Sequence, residues 1–306
     1  MRSLRGIGEW PVEHAATAVV AASGERLGSD GNLDRPYELA SVTKLLTAYA
    51  TLIAIEEGVL ALDDPAGPAG STVRHLLSHA SGLDFAERIV RAAPARRRIY
   101  SNSGFEVLAE VVAERSGIGF PDYVEEAILN PLGMAATTVT GSPAAGATST
   151  VADLSRFAAE LQAPTLLDPS TLAQATSVVF AGLVGVLPGF GRQTPNDWGL
   201  GFEIRTGKHP HWTGATSSPR TFGHFGQSGT FVWVDPVAGA ACIALTDRAF
   251  GAWAAQVWPE FTDAVLAELL GQRPTSGCPA ARGPVAVSPS PSPAGAGAGS
   301  ERRGLT

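Results

Sequence analysis

Apolar positions change their spacing along the chain in a way that divides it into successive stretches. Near the start, the run AATAVVAA at residues 15–22 precedes SGERLGSDGNL, whose glycines and aspartates predict two strands meeting in a hairpin. A helix is then expected from about Ser41 to a stop at Gly58. Val42, Leu45, Leu46, Tyr49, Leu52, Ile53 and Ile55 cover nearly all its faces, so it should lie buried at the centre and not half exposed. The middle of the chain reads as helical: STVRHLLSHASGL opens on a Ser71 or Thr72 cap, and GFEVLAEVVAERSG runs to Gly117. PDYVEEAILNPLGM and TSTVADLSRFAAELQ follow, and in the latter Thr150 and Asp153 resemble a capping box. Past Trp198 the spacing shortens. WGLGFEIR, TFVWVDP and AGAACIALTD are strand-like runs between turns, and WAAQVWPEFTDAVLAELL is a last amphipathic helix.

Strands at both ends around a helical middle predict a mixed domain built from the two termini, with an all-helical domain inserted between them. The first strands must then pair with the last. The expected bounds are residues 1–272 for the folded part, of which about 1–62 and 197–272 carry the sheet and about 63–196 the helices. From about Gln272 the sequence turns to PSPSPAGAGAG, which buries too little apolar surface to order itself, so residues 273–306 are expected to form a disordered tail. No internal repeat is visible.

Composition narrows the partners. The formal net charge of -7 disfavours nucleic acid or an anionic membrane, and the one tight basic run, Arg96, Arg97 and Arg98, neutralises few phosphates. No window is as apolar as a membrane span requires. Arg2 and Arg5 superficially suggest a signal peptide, but Glu9, Pro11, Glu13 and His14 interrupt the stretch, so a cytoplasmic protein is expected unless the true start codon lies elsewhere. Cys242 and Cys278 suggest neither a disulfide framework nor a metal site and are expected to be unpaired. His75 and His79 stand at helical i,i+4 spacing, yet no glutamate follows His75 and no third ligand is evident, so no metal or other cofactor is expected.

The 22 basic residues include only two lysines, Lys44 and Lys208. Arginine cannot lose its proton in a protein, whereas a lysine in apolar surroundings can. In ELASVTKLLTAYA, Lys44 stands three residues after Ser41, on the same helical face, with Ser41 at the helix N-terminus. Burial should depress the Lys44 pKa and let the amine take the serine proton, which makes an activated nucleophile. Other groupings compete. Ser78, His79, Ser81 and Asp84 hold the letters of a triad but sit too close in sequence to converge, and Ser228 in GQSGT misses the last glycine of a nucleophile elbow.

The Ser41-x-x-Lys44 pair, YSNSG at residues 100–104 and GHFGQSGT at residues 223–230 together resemble the serine β-lactamase and penicillin-binding protein superfamily. The resemblance is to the branch of class C β-lactamases, D-Ala-D-Ala carboxypeptidases and related esterases. LALDDP, VRHLLSHASGL and NPLGM support it in the same order, over about residues 15–270. It implies an α+β fold of the β-lactamase/transpeptidase type, an antiparallel sheet flanked by helices with an inserted helical domain. It also implies Ser41 as the acylated nucleophile, Lys44 as its base or proton relay, and the Tyr100 phenol as the group exchanging protons with nucleophile and leaving group. Asn102 would hold the substrate amide or orient Lys44. His224 stands where a lysine is commoner, and the backbone N–H groups of Ser41 and of Gln227, after Gly226, would form the oxyanion hole. Plainer roles compete for some of these: Tyr100 and Asn102 as turn and cap residues, His224 as a strand histidine. Trp198, Trp212 and Trp233 read as core, with Trp212 a possible wall of the pocket.

The segment between Asp64 and Ser71 is shorter than in typical members, and Ala95 and Arg96 stand where a glycine commonly precedes the tyrosine motif, so the pocket mouth should differ. The expected substrate is a small-molecule ester, amide or β-lactam. The resemblance points first to an esterase-like serine hydrolase, next to a D-Ala-D-Ala carboxypeptidase or β-lactamase, and last to a non-catalytic binding module. The sequence leaves the oligomeric state open, and with it the roles of Asp247 and Arg248.

Overall fold

Alternation in the strands decides the layers. The computed structural model describes residues 1–272. In it β1 (Ala15–Ala21) and β2 (Arg26–Gly31) form the predicted hairpin, and the other edge of β1 pairs antiparallel with β11 (Ala240–Thr246), with Ala15 opposite Thr246. Both ends of the chain thus enter one antiparallel sheet of order β2-β1-β11-β10-β9-β8, where β8 is Glu203–Ile204, β9 Phe222–Gly226 and β10 Thr230–Asp235.

Odd and even positions of the central strands feed two cores. Ala18, Val20, Val232, Ile243 and Leu245 face a core shared with α1 (Thr43–Glu56) and α6 (Val151–Glu160). Val19, Phe231, Trp233, Cys242 and Ala244 face another, closed by Trp258, Phe261 and Val265 of α8 (Ala252–Gln272) and by Leu4 and Ile7 of the 3-10 turn Ser3–Glu9. With both faces covered, β10 and β11 are buried at every position, which is why they read as near-continuous apolar runs. Every α1 residue from Thr43 to Ala54 is buried, as its all-round apolar pattern requires.

The middle region holds α2 (Val73–Leu77), α3 (Asn102–Ser116), α4 (Phe120–Val124), α5 (Asn130–Leu132) and α7 (Pro169–Ala175), with a π turn at Glu125–Leu129. It is not all helical. β4 (Thr138–Val139) and β5 (Ala147–Ser149) make a small sheet with β3 (Tyr37–Glu38), and β6 (Gly185–Leu187) pairs with β7 (Gly191–Gln193). Strands of two or three residues hold too little alternation to show in a sequence.

Local signals hold in part. Thr72 caps α2 in a capping box with His75, and Thr150 Oγ1 accepts from the Asp153 N–H at the start of α6. The Asp153 carboxylate does not turn back to complete a box; it accepts from the Ala136 N–H and the Thr137 hydroxyl and so ties the small sheet to α6. Asp247 receives the His14 N–H at 3.0 Å and pairs with His14 Nδ1 at 2.7 Å, while Arg248 donates to the Pro11 carbonyl. These bonds clasp the first residues to the end of β11. Cys242 is buried and free; Cys278 and the tail lie outside the described residues. Among the described residues no helix is long and apolar enough to cross a membrane.

Candidate active site

The α-helix expected from about Ser41 begins two residues later, at Thr43, and Ser41 itself lies in a 3-10 turn at Ala40–Val42 that leads into α1. The β9–β10 turn holds the residues before it: the Ser228 hydroxyl donates to the Glu38 carbonyl at 2.6 Å and Thr230 Oγ1 to the Leu39 carbonyl at 2.9 Å. Ala40 takes a left-handed φ of 44°, a strained choice for a residue with a Cβ, immediately before Ser41. Gly226 allows the close approach: a Cβ there would lie 2.2 Å from the Leu39 carbonyl oxygen. β9 therefore runs against the Ser41 turn, and Ser41 and Gln227 line one small cavity of about 120 Å³ with Phe85, Tyr100, Trp198 and His224.

Lys44 sits directly behind. Its Nζ is 3.3 Å from Ser41 Oγ, 2.6 Å from Asn102 Oδ1 and 2.8 Å from the Ala144 carbonyl oxygen. It is fully buried, 4.7 Å from the centre of the Tyr100 ring, and pairs with no carboxylate among the described residues. Burial holds its pKa well below the ordinary lysine value, against a weaker pull from Glu106. Asn102 is the first residue of α3, and its own N–H donates to the Phe85 carbonyl at 2.7 Å, so the amide is fixed before it meets Lys44.

His224 donates from Nδ1 to the Phe225 carbonyl at 2.7 Å, which leaves Nε2 as an acceptor 3.5 Å from the Tyr100 hydroxyl. Burial, then the nearby Lys44 charge, lower its pKa to about 3, so the ring is neutral at neutral pH. Burial pushes the Tyr100 phenol up, and a hydrogen bond with Ser41 offsets part of that. All seven residues singled out in the sequence, Ser41, Lys44, Tyr100, Asn102, His224, Gly226 and Gln227, thus converge on one place.

Two further side chains stand at the site in roles that the sequence reading did not give them. His79, at φ 56°, accepts the Ser101 N–H at Nδ1 and packs its ring 4.6 Å from both Tyr100 and Trp198, fixing the phenol from behind. Glu203 lines the cavity; its Oε1 accepts from Lys208 at 2.6 Å and His211 at 2.9 Å, and Trp212 donates to its other oxygen. Burial alone would raise this carboxyl, but Lys208 and His211 outweigh it and hold the pKa below the ordinary glutamate value. Both lysines of the chain therefore stand at the site, Lys208 paired and Lys44 not, and the scarcity of lysine was the available signal. Trp212 is buried beneath the cavity and does not wall it; Trp198 does.

The rival groupings are spent on backbone. The Ser78 hydroxyl donates to the Arg74 carbonyl, Ser81 Oγ accepts from the Leu83 N–H, and His75 Nδ1 accepts the Thr72 N–H at the start of α2.

A family model described as beta-lactamase matches residues 14–267. A crystal structure of a beta-lactamase from Mycobacterium bovis is 56% identical, with a TM-score of 0.86 over 87% of this chain and 99% of that one. EstCE1, a hydrolase with promiscuous acyltransferase activity, shares the fold at a TM-score of 0.72 and 19% identity, over 86% of this chain and 96% of its own. The D-alanyl-D-alanine-carboxypeptidase/endopeptidase AmpH of Escherichia coli is 31% identical over 148 residues, 36% of this chain and 38% of AmpH. The chain spans about a third of the length of the curated relatives it matches. A match that runs from the end of the N-terminal clasp to the last helix takes in the whole sheet and every residue around Ser41, and so the chain belongs to the beta-lactamase family and is a serine hydrolase of it.

Proposed function

We propose that the protein hydrolyses a small-molecule ester, in the manner of an esterase, through a covalent acyl-enzyme on Ser41. The observation that carries this reading is the buried Lys44 amine 3.3 Å from Ser41 Oγ, with no carboxylate paired to it among the described residues. As a neutral amine, Lys44 keeps its two N–H bonds to Asn102 and Ala144 and turns its lone pair to the serine hydroxyl.

Ser41 Oγ then attacks the carbonyl carbon while its proton passes to Lys44 Nζ. The negative oxygen of the tetrahedral intermediate is held by the backbone N–H groups of Ser41 and Gln227. The C–O bond to the leaving group breaks as the Tyr100 hydroxyl protonates the departing oxygen, and Lys44 returns a proton to Tyr100. Water attacks the acyl-enzyme in the second half, with Lys44 and Tyr100 in the reverse roles, and releases the acid and Ser41.

Neutral His224 favours an ester over the substrates of the carboxypeptidase and β-lactamase readings, because it supplies no cation for a carboxylate beside β9. The test is intact mass spectrometry with fluorophosphonate and penicillin probes, beside turnover of a chromogenic short-chain ester. One fluorophosphonate adduct, lost together with turnover in Ser41→Ala, is expected. Labelling that survives Ser41→Ala would overturn the assignment, and a stable penicillin adduct without ester turnover would favour the alternative reading.

A further inference from the structure

A second cavity, of about 840 Å³, adjoins the Ser41 cavity and shares Phe85, Tyr100 and Pro188 with it. Its lining combines apolar surface with an excess of positive charge. Phe85 and Val186 in this lining remain 50% and 60% exposed. Arg91, Arg97, Arg98 and Arg192 also line it, against a single lining carboxylate, Asp84.

That carboxylate is already engaged: Asp84 holds Arg91 at 2.6 and 2.8 Å. Arg98 is 2% exposed and spends its guanidinium on the carbonyls of Ser78, Val179, Phe180 and Asn196, so its charge is fixed in the wall without a paired carboxylate among the described residues. Arg97 reaches only the Arg91 carbonyl, at 3.4 Å, and Arg192 on β7 has no carboxylate partner among the described residues. Two exposed arginines, Arg97 and Arg192, beside the buried Arg98, therefore line the partly apolar pocket. Guanidinium groups in that setting match a carboxylate or a phosphate.

We infer that this cavity receives the leaving group of the substrate, and that the leaving group is an alcohol with an apolar body bearing a carboxylate or phosphate that Arg97 and Arg192 bind. The side follows from Tyr100, which protonates the departing oxygen under the proposed mechanism and which lines both cavities. The inference rests on that mechanism and goes beyond it by naming the chemistry of one half of the substrate. It also moves the anion-binding charge from β9, where His224 is neutral, to the β6–β7 hairpin.

The test uses butyrate esters that all deposit the same butyryl group on Ser41. Their leaving alcohols are 4-hydroxybenzoate, 4-hydroxyphenyl phosphate and the neutral 4-hydroxybenzamide. Formation of the butyryl adduct is followed by rapid-quench mass spectrometry at low salt, and each rate constant is divided by that ester's hydroxide-catalysed rate. At least one anionic leaving group is expected to exceed the neutral one by about fivefold or more, the scale of two exposed charge contacts, and the carboxylate and phosphate arms tell which anion is preferred. The advantage should shrink at high salt and approach one in the folded Arg97→Ala/Arg192→Ala double variant, whereas the double lysine variant should retain part of it. Equal rates from all three esters, or an advantage that survives the double alanine variant, overturn the inference while leaving the acyl-enzyme intact. A glutarate monoester that gains the same advantage from an acyl-side anion would overturn the placement. Absence of any butyryl adduct would instead strike at the proposed function.

Discussion

Lys44 Nζ and Asn102 Oδ1 are 2.6 Å apart, although 58 residues separate them in the chain, and this neutral acceptor is what meets the amine in place of a carboxylate. An amide oxygen orients the amine without clamping a proton on it. Asn102→Asp would place a full negative charge at that distance, and an opposite charge so near raises an amine pKa by roughly one to three units. The rising limb of the pH–acylation profile should move to higher pH by at least about one unit. A profile that stays in place, in a variant with unchanged melting temperature, would show that Lys44 does not set the rate.

Lys44→Arg keeps the charge and removes the base. Guanidinium stays protonated, so acylation should fall by at least ~10², the lower range for proton transfer by a positioned side chain. Thermal melting must first establish that the bulkier arginine is accommodated in the fully buried α1. Near wild-type acylation in a folded variant would leave Lys44 an electrostatic residue only.

In the wild type, acylation should rise with pH to an alkaline plateau as the amine loses its proton. The apparent pKa belongs to the coupled Lys44 and Tyr100 pair, since burial moves lysine down and phenol up. His224, already neutral above about 3, should contribute no inflection between pH 5 and 8. An inflection near 6.5 that disappears in His224→Gln would contradict this.

Stability carries its own pH signature. His79 and His224 are buried and neutral, with folded pKa values depressed below 6.5, so on acidification the unfolded chain takes up protons before the native one does. Their stabilisation is complete above about pH 6.5 and is lost as the pH falls through that value toward the folded pKa. Between about pH 6.5 and 5 ordinary carboxylates stay ionised, so melting temperature should already decline there. A flat melting profile across that window would refute the buried neutral state.

Glu203→Gln should destabilise the fold strongly. It leaves the fully buried Lys208 ammonium without its carboxylate, and breaking a buried pair in this way costs about 3–5 kcal/mol. Chemical denaturation measures the loss. A Glu203→Gln/Lys208→Met double variant should recover part of it, because no orphaned charge then remains. A single variant as stable as the parent would show that Lys208 is neutral in the native protein.

Much of this protein is local and was legible in its residues. The all-round apolar pattern of α1, the caps at Thr72 and Thr150, and the continuous apolar runs of β10 and β11 each report an environment that acts on neighbouring residues. The Ser41 and Lys44 pairing is likewise a matter of one helical turn, and motif order sufficed to single out Tyr100, Asn102, His224, Gly226 and Gln227. Tertiary structure decided what depends on distant partners. The short strands β3 to β7 have no pattern of their own and exist because another strand lies beside them. The start of α1 is displaced because Ser228 and Thr230 anchor the residues before Ser41 across about 190 positions of chain. Glu203 reads as an ordinary strand glutamate until Lys208, His211 and Trp212 close on it, and His79 becomes the support of Tyr100 only when the Ser101 N–H reaches it. The protonation states follow the same division: residue type sets the ordinary pKa, but the burial and neighbours that shift Lys44 and His224 arise only when the sheet and α3 come together around α1.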